Sequence, residues 1–100
     1  MIKHVVMWKL KEEAEGSTRK QNALKIKQKL EALKDIIPQI QSMEIGINFL
    51  ESDMAYDAVL ISTFRSQADL DTYKNHPDHQ AVSAFVKKVR TGRTVVDFQM

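Results

Sequence analysis

The 100-residue sequence contains no cysteine, which excludes a disulfide framework, thiol catalysis and a thiolate metal site. That leaves the compartment open, with a cytoplasmic location as the default expectation. No stretch approaches the roughly 20 apolar residues of a membrane span, and Met1 runs straight into an alternating pattern. Neither a signal peptide nor a membrane partner is therefore expected. Charge of one sign is also scarce: a formal net charge of +2 does not point to a polyanionic partner. The basic run Arg19, Lys20, Lys25, Lys27, Lys29 and Lys34 has no interleaved aromatics and reads as a solvated helix face, so no nucleic acid is expected as a partner. Repeats, low-complexity tracts and linkers are missing as well. What remains is a single domain, residues 1–100, with 43% hydrophobic residues to build a modest core.

Residues 2–10, IKHVVMWKL, place Ile2, His4, Val6, Trp8 and Leu10 on one face of a strand and Lys3, Val5, Met7 and Lys9 on the other. Both faces are apolar at the centre, which predicts a strand covered on two sides. Residues 12–16 read as a polar loop, and Ser17 as the N-cap of a helix with Ala23, Ile26, Leu30, Leu33 and Ile37 on its inner stripe, ending just before Pro38. A cleanly alternating second strand over 42–50 suggests an edge, and the continuous apolar run inside 56–65 suggests a central third strand.

Ser66 is expected to cap a second helix, with Asp69 in a capping box and Leu70 and Tyr73 facing inward. Pro77 breaks that helix. Val82, Phe85, Val86 and Val89 give a further helical segment, which Gly92 should stop before a last strand at 93–99. The order strand, helix, strand, strand, broken helix, strand predicts an α+β, ferredoxin-like βαββαβ unit with a four-stranded antiparallel sheet in the order 4-1-3-2. Helices can cover only one face of that sheet. Val5, Met7, Val59, Ile61 and Thr63 would then form an apolar patch on the other face, which predicts a homodimer pairing sheet to sheet as a dimeric α/β barrel.

Histidine is the side chain whose ordinary pKa lets it exchange protons near neutral pH, and this chain has three. His76 and His79 flank Pro77, and His4 lies on the first strand, on the face assigned to the helices. A cleft holding His4, Tyr73 and His79, walled by Val6, Trp8, Ala58, Leu60, Phe64 and Phe85, would suit an apolar or aromatic small molecule bearing a carbonyl or hydroxyl. In that reading His79 is a general base, Tyr73 donates a hydrogen bond to a carbonyl oxygen, and His4 orients either partner or substrate. Each residue has a structural alternative: His79 as a helix-end cap, His4 as a hydrogen-bonded core histidine, Tyr73 as packing with its hydroxyl at the surface. His76 and His79 with Asp78 lack a third ligand at a diagnostic spacing, so no metal is expected; His76 more simply fixes the turn and Asp78 caps the following segment. No phosphate loop, nucleophile elbow or dinucleotide fingerprint is present, and no cofactor is expected.

The blocks IKHVVMWKLK, AYDAVLISTFRS, TYKNHPDHQAV and RTVVDF together resemble the stress-responsive A/B barrel (Dabb) domain family over essentially the whole chain. The most distinctive match is the helix break His76-Pro77-Asp78-His79, preceded by Tyr73 and combined with His4. The resemblance implies a homodimeric α/β barrel, most of whose relatives have no assigned reaction, and so a stress-linked dimer binding a small molecule. It also implies an alternative, since a plant member is a cofactor-free polyketide cyclase that closes its product by aldol condensation. There the positions matching Tyr73 and His79 act as a pair and the position matching His4 lines the site. The present sequence departs from that cyclase at Ala58, where the cyclase carries a further histidine.

Overall fold

Alternation in the first residues produces β1 (Ile2–Leu10), in which His4, Val6, Trp8 and Leu10 are buried. The computed structural model describes residues 1–100. A short hairpin follows, β2 (Glu13–Ala14) and β3 (Ser17–Thr18), where a polar loop was expected. Its two turn residues, Glu15 and Gly16, both have positive φ (51° and 73°), the turn geometry that matches the twist of a two-residue hairpin. Ser17 and Thr18 both pair in this hairpin, and α1 (Arg19–Leu33) starts one residue later than expected, with Thr18 as its cap. Thr18 Oγ1 accepts from the Gln21 N–H at 3.3 Å while Gln21 Oε1 accepts from the Thr18 N–H at 2.9 Å, a reciprocal capping box. The helix stops at Leu33, short of Pro38. The chain turns there through bonds from the Ile36 and Ile37 N–H groups to the Leu33 carbonyl, which sinks Ile37 fully into the core.

β4 (Ser42–Ile47) and β5 (Ala58–Phe64) are shorter than the expected 42–50 and 56–65. At the start of β5 Asp57 is the physical reason: its N–H donates to the Trp8 carbonyl and its carboxylate accepts from the Leu10 N–H at 2.7 Å, so it ties the loop to the end of β1 instead of extending β5. α2 (Gln67–Asn75) is capped by Ser66, whose hydroxyl accepts from the Asp69 N–H; the reciprocal bond from Asp69 does not form. α3 (Pro77–Val89) starts with Pro77 in its first turn, where a missing N–H costs nothing.

The last strand, β6 (Arg90–Gln99), begins before Gly92. Arg90 already adopts extended angles, and the β1–β6 register shifts between Lys9 and Leu10, which pair with Gly92 and Arg90 and leave Thr91 as the bulged residue. The chain therefore leaves α3 without a glycine cap, and Gly92 is already a paired residue of the strand, opposite Lys9.

The main sheet runs β4-β5-β1-β6, all antiparallel, which is the expected 4-1-3-2 order once the hairpin strands are counted separately. All three helices lie on the face that carries Val6, Trp8, Ala58, Leu60 and Phe64, and 18 buried hydrophobic residues form one core there. The opposite face carries Val5, Met7, Val59 and Ile61, and the β1–β6 register adds Val96 beside Val5 and Phe98 beside Lys3. Val96 and Phe98 are exposed at 58% and 44%. Thr63, counted toward that face, is 7% exposed because it bonds Ser42 at 2.5 Å. No helix is long and apolar enough to cross a membrane.

Candidate functional site

Between the sheet and α3 lies a cavity of about 200 Å³. His4 reaches it from β1, Tyr73 from the last turns of α2, and His79 from the first turn of α3. The Pro77 break makes this possible: a continuous helix would carry His79 on around the same cylinder, whereas the break redirects the chain and sets His79 against Tyr73. Their ring centroids are 4.3 Å apart with planes tilted by 47°. Phe64 backs the group, 5.1 Å from Tyr73 and 6.5 Å from His4 between centroids.

Each cavity imidazole is anchored through Nδ1. His4 Nδ1 donates to Asp97 Oδ1 at 2.5 Å, a contact set by their direct opposition in the β1–β6 register. His79 Nδ1 donates to the Lys74 carbonyl at 3.2 Å. With Nδ1 carrying the proton, Nε2 of each ring is left as a lone pair that no protein group claims. Burial lowers the pKa of His4 below the ordinary histidine range, outweighing the opposing pull of Asp97. Burial lowers His79 likewise, against the Lys74 carbonyl bond that raises it. Both rings are thereby biased toward the neutral form that can accept a proton.

Tyr73 is 0% exposed, and its hydroxyl has no hydrogen-bond partner. Burial raises its pKa, so the hydroxyl keeps its proton and can donate it. The expected alternative of a hydroxyl at the surface is corrected by this burial. His79 does close a helix end, its Nδ1–H donating to the Lys74 carbonyl in the last turn of α2, and α3 takes a separate N-cap. That role falls to His76, whose Nδ1 accepts from the Asp78 N–H at 3.1 Å, while Asp78, expected to cap, sits inside the first turn of α3. No group of three or more His, Asp or Glu side chains is placed to hold a metal.

Of the residues expected to wall the cleft, Val6, Trp8 and Leu60 line the cavity, and Ala58, Phe64 and Phe85 do not. Ala58 lies at the far end of the inner sheet face, and Phe64 stands behind Tyr73. Phe85 is turned toward α1, where Lys29 Nζ lies 5.1 Å from its ring centroid. In their place stand Leu30, Val82, Ser83 and Val86, with Lys87, Arg90 and Arg93 among the lining cations. Arg93 and Asp97 could have been found from the alternation of RTVVDF, which puts Arg93, Val95 and Asp97 on one face of the last strand.

The family model of the stress responsive A/B barrel domain matches residues 2–100. The chain belongs to that family. Its fold is shared with a dimeric protein of unknown function from Bacteroides fragilis, at 26% identity and a TM-score of 0.87, covering 99% of this chain and 95% of that one. A dimeric ferredoxin-like protein of unknown function from Thermobifida fusca has 20% identity and a TM-score of 0.83, covering 99% and 90%. A hydroxynitrile lyase from Passiflora edulis has 16% identity and a TM-score of 0.82, covering 99% and 92%. At such identity the last two likenesses concern the fold alone. No curated protein sequence matches the chain.

Within this A/B barrel domain, the cavity is set apart from the surface grooves by a buried hydroxyl without a partner. A larger groove of about 670 Å³ lies between α1 and the loop after β4, lined by Arg19, Leu24, Phe49 and Asp57. It holds no buried polar atom without a partner, whereas the cavity holds the Tyr73 hydroxyl.

Proposed function

We propose that this A/B barrel domain binds a small apolar or aromatic molecule, bearing a carbonyl or hydroxyl, in the cavity between sheet and helices. Two copies pair through their outer sheet faces, in a cytoplasmic setting that rests on the sequence expectation alone. The orphaned Tyr73 hydroxyl carries the proposal. Leaving a buried hydroxyl unbonded costs about 1–3 kcal/mol, a cost that a ligand oxygen accepting its hydrogen bond would offset. The apolar walls Val6, Trp8, Leu60 and Val86 suit the body of such a molecule. The pairing draws support from the apolar outer face and from the dimeric relative at 26% identity.

The two anchored imidazoles favour a second reading, a cofactor-independent enzyme acting next to a carbonyl in the manner of a polyketide cyclase. With a carbonyl oxygen on the Tyr73 hydroxyl, His79 Nε2 would remove a proton from the adjacent carbon. Tyr73 would hold the enolate oxygen as its charge develops, and His4, fixed by Asp97, would orient the substrate or return the proton.

Acetophenone tests both readings. It should bind with perturbation of the His4 and His79 resonances, and Tyr73→Phe should weaken binding by about tenfold, the worth of one buried hydrogen bond. Absence of any perturbation would overturn the binding site. Exchange of the acetophenone methyl protons in D2O, lost in His79→Gln while the variant stays folded, would select the enzyme; no exchange above buffer would leave binding alone.

A further inference from the structure

The rim of the cavity is cationic, and no protein group neutralises it. Lys87 at the end of α3, Arg90 at the junction with β6 and Arg93 on β6 all line the opening, and no Asp or Glu does. None of these cations has a carboxylate within 4.0 Å; the ion pairs of the chain join His4 to Asp97, Arg19 to Asp57, Lys27 to Glu31 and His76 to Asp78. In a chain of formal net charge +2 this is a local concentration, not an overall bias. Positive charge at the mouth of a cleft with low-dielectric walls raises the local concentration of anions.

Arg93 is the most informative of the three. It lies opposite Trp8 in the β1–β6 register, on the sheet face that carries His4. Its charge reaches every polar group inside, opposing protonation of His4 and His79 and favouring ionisation of Tyr73. Arg93 lines the same cavity as all three. Its guanidinium offers a planar fork that matches a carboxylate, which an ammonium does not. Beneath this mouth the walls are apolar and the polar groups neutral, so the hollow has two zones. Its volume of about 200 Å³ is that of a compact ligand. An apolar cavity of roughly 150 Å³ admits benzene, which leaves room here for one ring and a small substituent.

We propose that the cavity selects compact, single-ring acids, with the ring and an oxygen substituent that accepts from Tyr73 inside and an anionic oxygen group, a carboxylate by preference, seated on Arg93 beside Arg90 and Lys87. This rests on the cavity being a ligand site and narrows its ligands from neutral carbonyl compounds to anions. A phosphate ester offers the same anionic oxygens, and the test separates the two sources.

The full chain is titrated with benzoate, its neutral isostere benzamide, and phenyl phosphate, following the histidine and Trp8 resonances by NMR, and the titrations are repeated in Arg93→Gln. Arg93 is exposed, so the variant should keep the wild-type spectrum outside the cavity. Benzoate should bind at least about tenfold more tightly than benzamide, and R93Q should reduce that preference to about twofold. Phenyl phosphate binding more tightly than benzoate would overturn the carboxylate preference. Equal binding of benzoate and benzamide would overturn the anion selection while leaving the cavity a ligand site. A preference that survives R93Q would overturn the role of Arg93. If none of the three probes perturbs His4, His79 or Trp8, both this inference and the binding site fall together.

Discussion

The two faces of the central strands are built from neighbouring residues and have opposite characters. On the inner face His4, Val6, Trp8, Leu60, Ser62 and Phe64 are all buried; of the two polar ones, His4 Nδ1 is bonded to Asp97 and the Ser62 hydroxyl to the His4 carbonyl. On the outer face Val5, Met7, Val59, Ile61, Val96 and Phe98 form an apolar centre, partly or fully open, bordered by Lys3, Glu44 and Thr94. The inner face gives part of its core to a hollow with an unpartnered hydroxyl; the outer face is an open apolar centre with polar margins. Buried polar groups are costly unless they are used or satisfied, and an open apolar centre on a sheet is the kind of surface that the proposed second copy would cover.

Three changes break that contrast in different ways. Phe64→Ala on the inner face should cost the most, about 3–5 kcal/mol, because the ring is 0% exposed and supports both His4 and Tyr73. Urea unfolding would check it, and a loss below about 1 kcal/mol would contradict the inner packing. Ile61→Lys on the outer face should leave protomer stability within about 1 kcal/mol, since the side chain is only half-buried, yet convert the proposed dimer to monomer in analytical ultracentrifugation. A dimer that tolerates this charge would place the contact elsewhere.

The smallest effect concerns pH. His4 and His79 have native pKa values held down by burial, so the unfolded chain takes up protons that the native chain refuses. Stability is then fully present above the ordinary histidine pKa of about 6.5 and falls as pH drops through it, by at most about 1.4 kcal/mol per pH unit for each ring, levelling off below the native values. His4→Gln should flatten this decline. Stability that rises between pH 7 and pH 5 would contradict the burial of these rings.

Much of this arrangement was legible in the chain. The inner and outer faces of residues 2–10, the break at Pro77 and the central position of the third strand follow from periodicity and from what proline cannot do. The partners of His4 were not legible, because β1 and β6 are separated by almost the whole chain and no short turn fixes their register. Only the fold sets His4 opposite Asp97 and Trp8 opposite Arg93. Phe85 misled because helical spacing gives a stripe and not its edges: Val82, Val86 and Val89 point to the core, and Phe85 at the stripe's margin turns to Lys29. The 13–18 hairpin was missed because its paired positions are polar or small, so no alternation announces it. The dual reading of the histidine pair resolves in the same way. His76 and His79 stand three apart, yet one spends its Nδ1 lone pair on the Asp78 N–H and the other donates its Nδ1 proton to the Lys74 carbonyl.

That last difference gives the most direct test of a prepared hollow on the inner face. Long-range 1H–15N NMR of the imidazole rings at pH 7 reports which nitrogen of each histidine carries the proton. His4 and His79 should appear as Nδ1–H tautomers with free Nε2, and His76 as the Nε2–H tautomer. Adding acetophenone should move the Nε2 signals of His4 and His79 and leave His76 still. An Nε2–H form at His4 and His79, or a response confined to His76, would contradict the account.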